Sequence, residues 1–126
     1  MNVYDLVARI TPRHDFWSTV VHHFKSLYVI FEFKNYTGFI GQSQIYTTEK
    51  YLFATALRNC AVIVARKGAG ANAIRAAKGA LKEHGKLIMI ITAADICEML
   101  DMFDRGAEPS DLLLAKLDDL LTHLER

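Results

Sequence analysis

Two charged residues stand where a strand should be apolar. Glu32 and Lys34 fall within residues 27–34, an aromatic and β-branched run that reads as a β-strand. A charge inside such a strand is costly unless it is paired or lies at the sheet's end. Strand side chains alternate between faces, so Glu32 and Lys34 project together while Phe31 and Phe33 face the other way, into the core. Asp5 is a second carboxylate in a strand-like run, residues 2–10. If the first two strands pair as a hairpin bridged by a helix, Asp5 stands beside Glu32. Asp15 is the other upstream candidate, but it precedes Phe-Trp-Ser at a helix start and reads as a cap. Two carboxylates and a lysine converging on one point suit a hard cation, Mg²⁺ or Mn²⁺. Such an ion polarises a phosphodiester and lowers the pKa of a bound water. The lysine can orient or deprotonate that water and offset charge in the transition state. The bland alternative for Glu32 and Lys34 is a salt bridge at a strand end.

The elements that must hold these residues alternate along the chain. Residues 2–10 and 27–34 are expected as strands, with a short helix over 16–24 between them. Residues 35–41 are rich in turn formers. A helix is expected over 42–58, its stripe made of Ile45, Tyr46, Leu52, Phe53, Ala56 and Leu57. Residues 60–65, Cys-Ala-Val-Ile-Val-Ala, have the continuous apolar character of a strand buried on both faces. A helix over 71–84 ends at Gly85, and 87–91 is another buried strand. Helices over 95–103 and 110–124 close the chain, the last with Ser110 as its expected N-cap. This order predicts an α/β fold: one mixed sheet of four to five strands with helices on both faces.

The chain has 126 residues, the size of a single domain, with acidic helices over 94–126 packed on the core. At 52% hydrophobic and 23% charged residues, its composition fits a packed globule and argues against disorder. The longest uninterrupted aliphatic run is residues 87–91, far too short to span a membrane, and no signal-peptide pattern opens the chain. Cys60 and Cys97 form no CxxC pair; both lie in apolar segments and read as buried free thiols, which fits a cytoplasmic protein. The net charge of +1 conceals an asymmetry. Residues 1–86 carry 12 Lys/Arg against 5 Asp/Glu, and residues 87–126 carry 3 against 9. A basic body suits a polyanionic partner; acidic solvent faces on the last helices account for the pattern equally well.

Other features carry weaker readings. Residues 68–73, Gly-Ala-Gly-Ala-Asn-Ala, fit GxGxxA between a strand and a helix, the setting of a nucleotide phosphate site, and Asp95 lies about where an acidic ribose ligand is expected in such a site. His14, His22 and His23 match no zinc spacing, and the last two are expected to face solvent. Trp17, Tyr28 and Tyr51 read as core residues. Leu113, Leu117, Leu120, Leu121 and Leu124 form a stripe that suits docking on the domain or a homodimer face.

The arrangement Asp5, then Glu32-Phe33-Lys34 on the next long strand, resembles the PD-(D/E)xK signature of the restriction-endonuclease-like nucleases. The wording FEFKNY, then Gln44, then Tyr51-Leu52, then AVIVARKGA is similar to the Mrr-like branch, over about residues 3–100. The resemblance implies a restriction-endonuclease-like core and a Mg²⁺-dependent DNA endonuclease. It implies Asp5, Glu32 and the backbone carbonyl of Phe33 as metal ligands, and Lys34 as the catalytic lysine. Gln44 would lie near the site, with Gln42 as the alternative glutamine. Arg66, Lys67 and the helix start after them would touch DNA phosphates. The sequence departs from the pattern in having Tyr4 before the aspartate. It also lacks the helix that usually precedes that strand, which implies a fragment or a partner supplying the missing cover. Two alternatives stand beside this reading: a non-catalytic nucleic-acid-binding module of the same fold, and a nucleotide-binding domain using residues 68–73.

Overall fold

The computed structural model describes residues 5–124. Four strands, β1 (Leu6–Arg9), β2 (Tyr28–Lys34), β3 (Arg58–Ala65) and β4 (Leu87–Ile91), form one sheet in the order β1-β2-β3-β4. β1 runs antiparallel to β2, and β2, β3 and β4 run parallel. Five helices flank the sheet: α1 (Asp15–His23), α2 (Gln42–Glu49), α3 (Ala71–His84), α4 (Ala93–Asp104) and α5 (Ser110–Thr122). The expected alternation of strands and helices is present, with four strands. Of the strand expected over 2–10, residues 2–4 lie outside the described residues. No helix among the described residues is long and apolar enough to cross a membrane.

The sheet has two apolar faces because its central strands are apolar on both sides along most of their length. On one face Val29, Cys60, Val62, Leu87 and Met89 pack with Phe16 and Val20 of α1 and Leu113 and Leu117 of α5. On the other, Ile30, Ala61, Ile63, Ala65 and Ile88 pack with Ile45 of α2 and Ala73, Ala77 and Ala80 of α3. The alanines of α3 recur at helical spacing and meet Ala61 and Ala65, so small side chains line both partners of this contact. The leucine stripe of α5 therefore docks on its own domain: Leu113 and Leu117 are buried, and Leu120 and Leu124 pack against that core, while Leu121 stays exposed.

Several local expectations give way. The helix expected over 42–58 ends at Glu49, and a short 3-10 turn over Ala54–Ala56 follows. Of its supposed stripe only Ile45 and Leu52 are buried; Tyr46, Phe53 and Leu57 are exposed. The segment instead closes on itself, with the Phe53 amide donating to the Arg58 carbonyl at 2.8 Å and the Arg58 amide returning to Phe53 at 3.2 Å. Leu57 takes a left-handed φ of 58° to make that turn. Asp15 and Ser110 are the first residues of their helices, not the caps; His14 and Pro109 hold those positions. Phe33 lies on the α1/α5 side of the sheet as alternation requires, but it is 55% exposed, because the helices of that side stop short of the end of β2. Cys97 is exposed rather than buried: α4 turns Ile96 and Met99 toward the core, which leaves Cys97 on the opposite flank of the helix.

Polar clips join the ends of the layers. Gly85 ends α3 at a left-handed φ of 65°, with the Lys86 amide donating back to Ala80 at 3.2 Å. The buried Asn59 side chain donates to the carbonyls of Gly85 at 2.8 Å and Phe24 at 3.2 Å, and its own amide donates to Ser26 Oγ at 2.7 Å. One asparagine thus fixes the turn after α1 against the turn after α3. At the far side, Ser110 donates to Glu108 through both its hydroxyl and its amide, and His14 approaches Glu108 at 3.3 Å. The Ser110 hydroxyl, its amide and then the His14 charge hold the Glu108 carboxyl below the usual range.

Two measurements check this packing. Asn59→Ala leaves two part-buried carbonyls without their donor and should cost about 1–3 kcal/mol in urea unfolding, whereas a surface control such as Lys50→Ala should cost under about 0.5 kcal/mol. Burial pushes the Cys60 thiol up to about 12, so a thiol reagent near neutral pH should label Cys97 alone in the native protein and both cysteines in denaturant. Rapid native labelling of Cys60 would contradict the packing described.

Candidate functional site

β2 brings the charged pair to the end of the sheet as alternation requires. Glu32 lies on the α2/α3 side, in the layer of Ile30, and is 1% exposed. Lys34, the next residue on that face, sets its Nζ 3.8 Å from Glu32 Oε2. That is an ionic contact beyond hydrogen-bond length. The side chain of Lys34 is one-quarter exposed, so the pair runs from a dry interior to the rim of the sheet. Burial of Glu32 makes any lost partner expensive.

The hydrogen bond to this carboxylate comes from Thr48, whose hydroxyl donates to Glu32 Oε2 at 2.8 Å. Thr48 is fully buried on α2. Glu32 Oε1 is buried and, among the described residues, takes no hydrogen bond. A carboxylate oxygen in that position lacks a positive partner of its own, since Lys34 and Thr48 both address Oε2. The orphaned carboxylate oxygen is a donor that fits a hard divalent cation.

Asp5 arrives from the edge strand. The β1–β2 register pairs Leu6 with Phe31 and Val7 with Ile30, so Asp5 lies just past the paired residues, level with the Glu32-Phe33 step. Its amide donates to the Phe31 carbonyl at 3.2 Å, and its Oδ2 accepts the Phe33 amide at 2.7 Å. In an extended strand the amide and carbonyl of one residue point to the same side, so the Phe33 carbonyl also faces the β1 edge, where Asp5 stands. The structure thus brings Asp5, Glu32, Phe33 and Lys34 to one end of β2. Among the described residues no three His, Cys, Asp or Glu side chains cluster as a ready metal site, so a metal held here would rely on two carboxylates, the main chain and solvent.

The remaining candidates separate. Gln44 uses its Oε1 to accept the Gly41 amide at 2.8 Å, fixing the first turn of α2. It stands one helical turn before Thr48, on the same side of the helix, and it is Thr48 that reaches Glu32. Gln42 is exposed at the helix start. Arg66 and Lys67 are exposed after β3, and the Arg66 amide donates to the Lys34 carbonyl at 3.1 Å, so this cation sits beside the catalytic candidate. Phe33, Lys34, Asn35, Val64, Arg66 and Ala93 line a hollow of about 340 Å³ across the C-terminal ends of β2 and β3.

The loop at 68–73 is occupied by its own backbone bonds. The Gly68 amide donates to Ala65, the Gly70 amide to Ile40 at 3.0 Å, and the Gly68 carbonyl accepts from Ile40. Asp95 is likewise engaged: its Oδ2 accepts the Thr92 amide at 2.9 Å at the start of α4 and lies 3.2 Å from Lys116 Nζ. His22 and His23 face solvent on α1, and Trp17 and Tyr51 pack against the cores, as their settings in the sequence suggest.

No protein-family model, curated protein or solved structure matches this chain.

Thr48 had no distinguishing mark in the sequence beyond a β-branched polar residue in a helix. Its role gives a direct test. Thr48→Val keeps the shape but removes the donor, and should destabilise the fold by about 1–3 kcal/mol in denaturant melts. In a Glu32→Leu background the same change should cost close to nothing, and a double-mutant cycle with equal costs in both backgrounds would remove Thr48 from the site.

Proposed function

We propose that the chain is a metal-dependent DNA endonuclease, or the nuclease domain of one, of the PD-(D/E)xK kind. The observation that carries this reading is the buried Glu32 carboxylate with one oxygen unpartnered, sharing the end of β2 with Asp5 and Lys34. A structural ion pair in a protein interior is expected to satisfy its lone pairs, because an unpaired buried oxygen costs stability. Here that oxygen remains open while the pair reaches toward solvent at Lys34.

Asp5, Glu32 and the Phe33 carbonyl would hold Mg²⁺. Bound there, the ion would supply Lewis-acid polarisation of a phosphodiester and acidification of a water. The protein's own groups act around it. Thr48 fixes one oxygen of Glu32 and so orients the other. The Phe33 amide holds Asp5 by one oxygen at the strand edge. Lys34, long and partly exposed, can place a protonated amine against a phosphoryl oxygen or orient the attacking water. Arg66, tied to Lys34 through the main chain, is placed to meet an adjacent phosphate.

A non-catalytic nucleic-acid-binding module is the second reading. The hydrogen bond that engages Asp5, and the lack of a three-residue ligand cluster among the described residues, favour it.

Supercoiled plasmid discriminates the two. Purified protein with Mg²⁺ or Mn²⁺ should nick it, EDTA should abolish nicking, and Glu32→Ala and Lys34→Ala should each lower the rate by about a hundredfold or more. A folded wild type that stays inert with both metals, and whose melting temperature neither ion raises, removes the enzyme reading.

A further inference from the structure

Residues 66–82 contain five cations, Arg66, Lys67, Arg75, Lys78 and Lys82, and no acidic residue. Among the described residues none of these five is ion-paired, as is also true of Arg9, Arg13, Lys25, Lys50 and Arg58. Arg75 donates to the neutral Asn72 Oδ1 at 2.7 Å and shares a hollow with Glu49 and Glu83, while Lys78 shares another with Asp95 and Asp119. Arg75 and Lys82 are exposed and Lys78 is half-buried. Arg75 and Lys82, seven residues apart on α3, lie nearly in line, about 10 Å along the axis, with Lys78 beside them. Arg75, Lys78 and Lys82 line one hollow of about 360 Å³, with no carboxylate among the described residues that line it.

Two further features bear on the partner. Gly79 sits in mid-helix between these cations, and a Cβ there would meet nothing within 4 Å. Internal packing gives no reason for a glycine that weakens the helix, whereas a partner's backbone passing close to the ridge would. No residue from 66 to 82 is aromatic, so the track offers charge without a stacking platform. That combination suits the regular phosphates of a duplex better than splayed bases of a single strand. The helix and its preceding loop form a track about 20 Å long, which spans roughly six phosphates of one strand. It starts at Arg66, whose amide is bonded to Lys34.

We propose that α3 and the loop before it form a duplex-DNA backbone track, with Arg66, Lys67, Arg75, Lys78 and Lys82 on successive phosphates. The proposal names the substrate class for the nuclease reading but rests on charge placement, and it holds for a non-catalytic module as well.

The test is fluorescence anisotropy with a labelled random-sequence DNA duplex in EDTA, so that no hydrolysis intervenes, titrated with NaCl. Wild-type affinity should fall steeply with salt. Combined Arg75→Ala, Lys78→Ala and Lys82→Ala should weaken binding at least about tenfold at low salt and flatten the slope of log K against log salt by about 0.9 per charge removed. Arg13→Ala, an exposed cation just before α1 on the opposite side of the sheet, should leave both unchanged. Circular dichroism should show the triple variant as helical as the wild type, since alanine favours the helix. Unchanged affinity and slope in the triple variant overturn the proposal, even if plasmid is nicked. So does tighter wild-type binding to single-stranded RNA or to phosphatidylserine vesicles than to the duplex. Duplex binding with these variant effects and no nicking supports the track and leaves the nuclease reading to fall alone.

Discussion

A carboxylate inside an apolar layer is the constraint around which the rest of this fold is arranged. Glu32 lies in the apolar layer of Ile30, 1% exposed, with Lys34 Nζ 3.8 Å from its Oε2. Its stability there depends on Thr48, on that lysine, and on whatever addresses its second oxygen. Removing those would convert the site into an uncompensated buried charge, which proteins avoid more strictly than almost any other defect. The position of α2, which delivers Thr48, is therefore tied to the chemistry of β2, and the cap supplied by Gln44 has the indirect effect of setting where Thr48 falls.

Much of this was legible in the sequence, because strand periodicity leaves little freedom. A two-residue spacing within an apolar run puts Glu32 and Lys34 on one face whatever the surrounding topology, and the unbroken apolar run at 60–65 is compatible only with a strand covered on both faces. The end of α3 was readable from Gly85 for a similar reason, since the left-handed turn there favours glycine. What could not be read depended on contacts made at long range. Thr48 acquires its role only once α2 lies over β2. Phe33 is exposed because the helices on its side stop short, and nothing near Phe33 in the sequence records where another helix ends. The early stop of α2 follows from a local pairing of Phe53 with Arg58 that competes with continued helix, an outcome that apolar spacing alone does not weigh.

The charge asymmetry of the sequence becomes an asymmetry of layers. α3, on the Glu32 side of the sheet, carries unpaired cations, whereas α4 and α5, on the other, carry Asp95, Glu98, Asp101, Asp104, Asp111, Asp118 and Asp119. Most of these acidic residues lie on the solvent faces of their helices.

The sheet order has a consequence for how the chain is made. Each strand pairs with the strand that precedes it in sequence, so a nascent chain leaving the ribosome could add β2, β3 and β4 in turn without inserting any strand between two others. Cover does not accrue so evenly. The α2/α3 side closes as soon as β4 is in place, but the opposite side waits for Leu113 and Leu117 of α5, which follows β4 and α4 in the chain. Until then Val62, Leu87 and Met89 would form an open apolar wall, so the interval between β4 and α5 is the stretch of synthesis in which this protein is most exposed to misassociation and has most use for a chaperone.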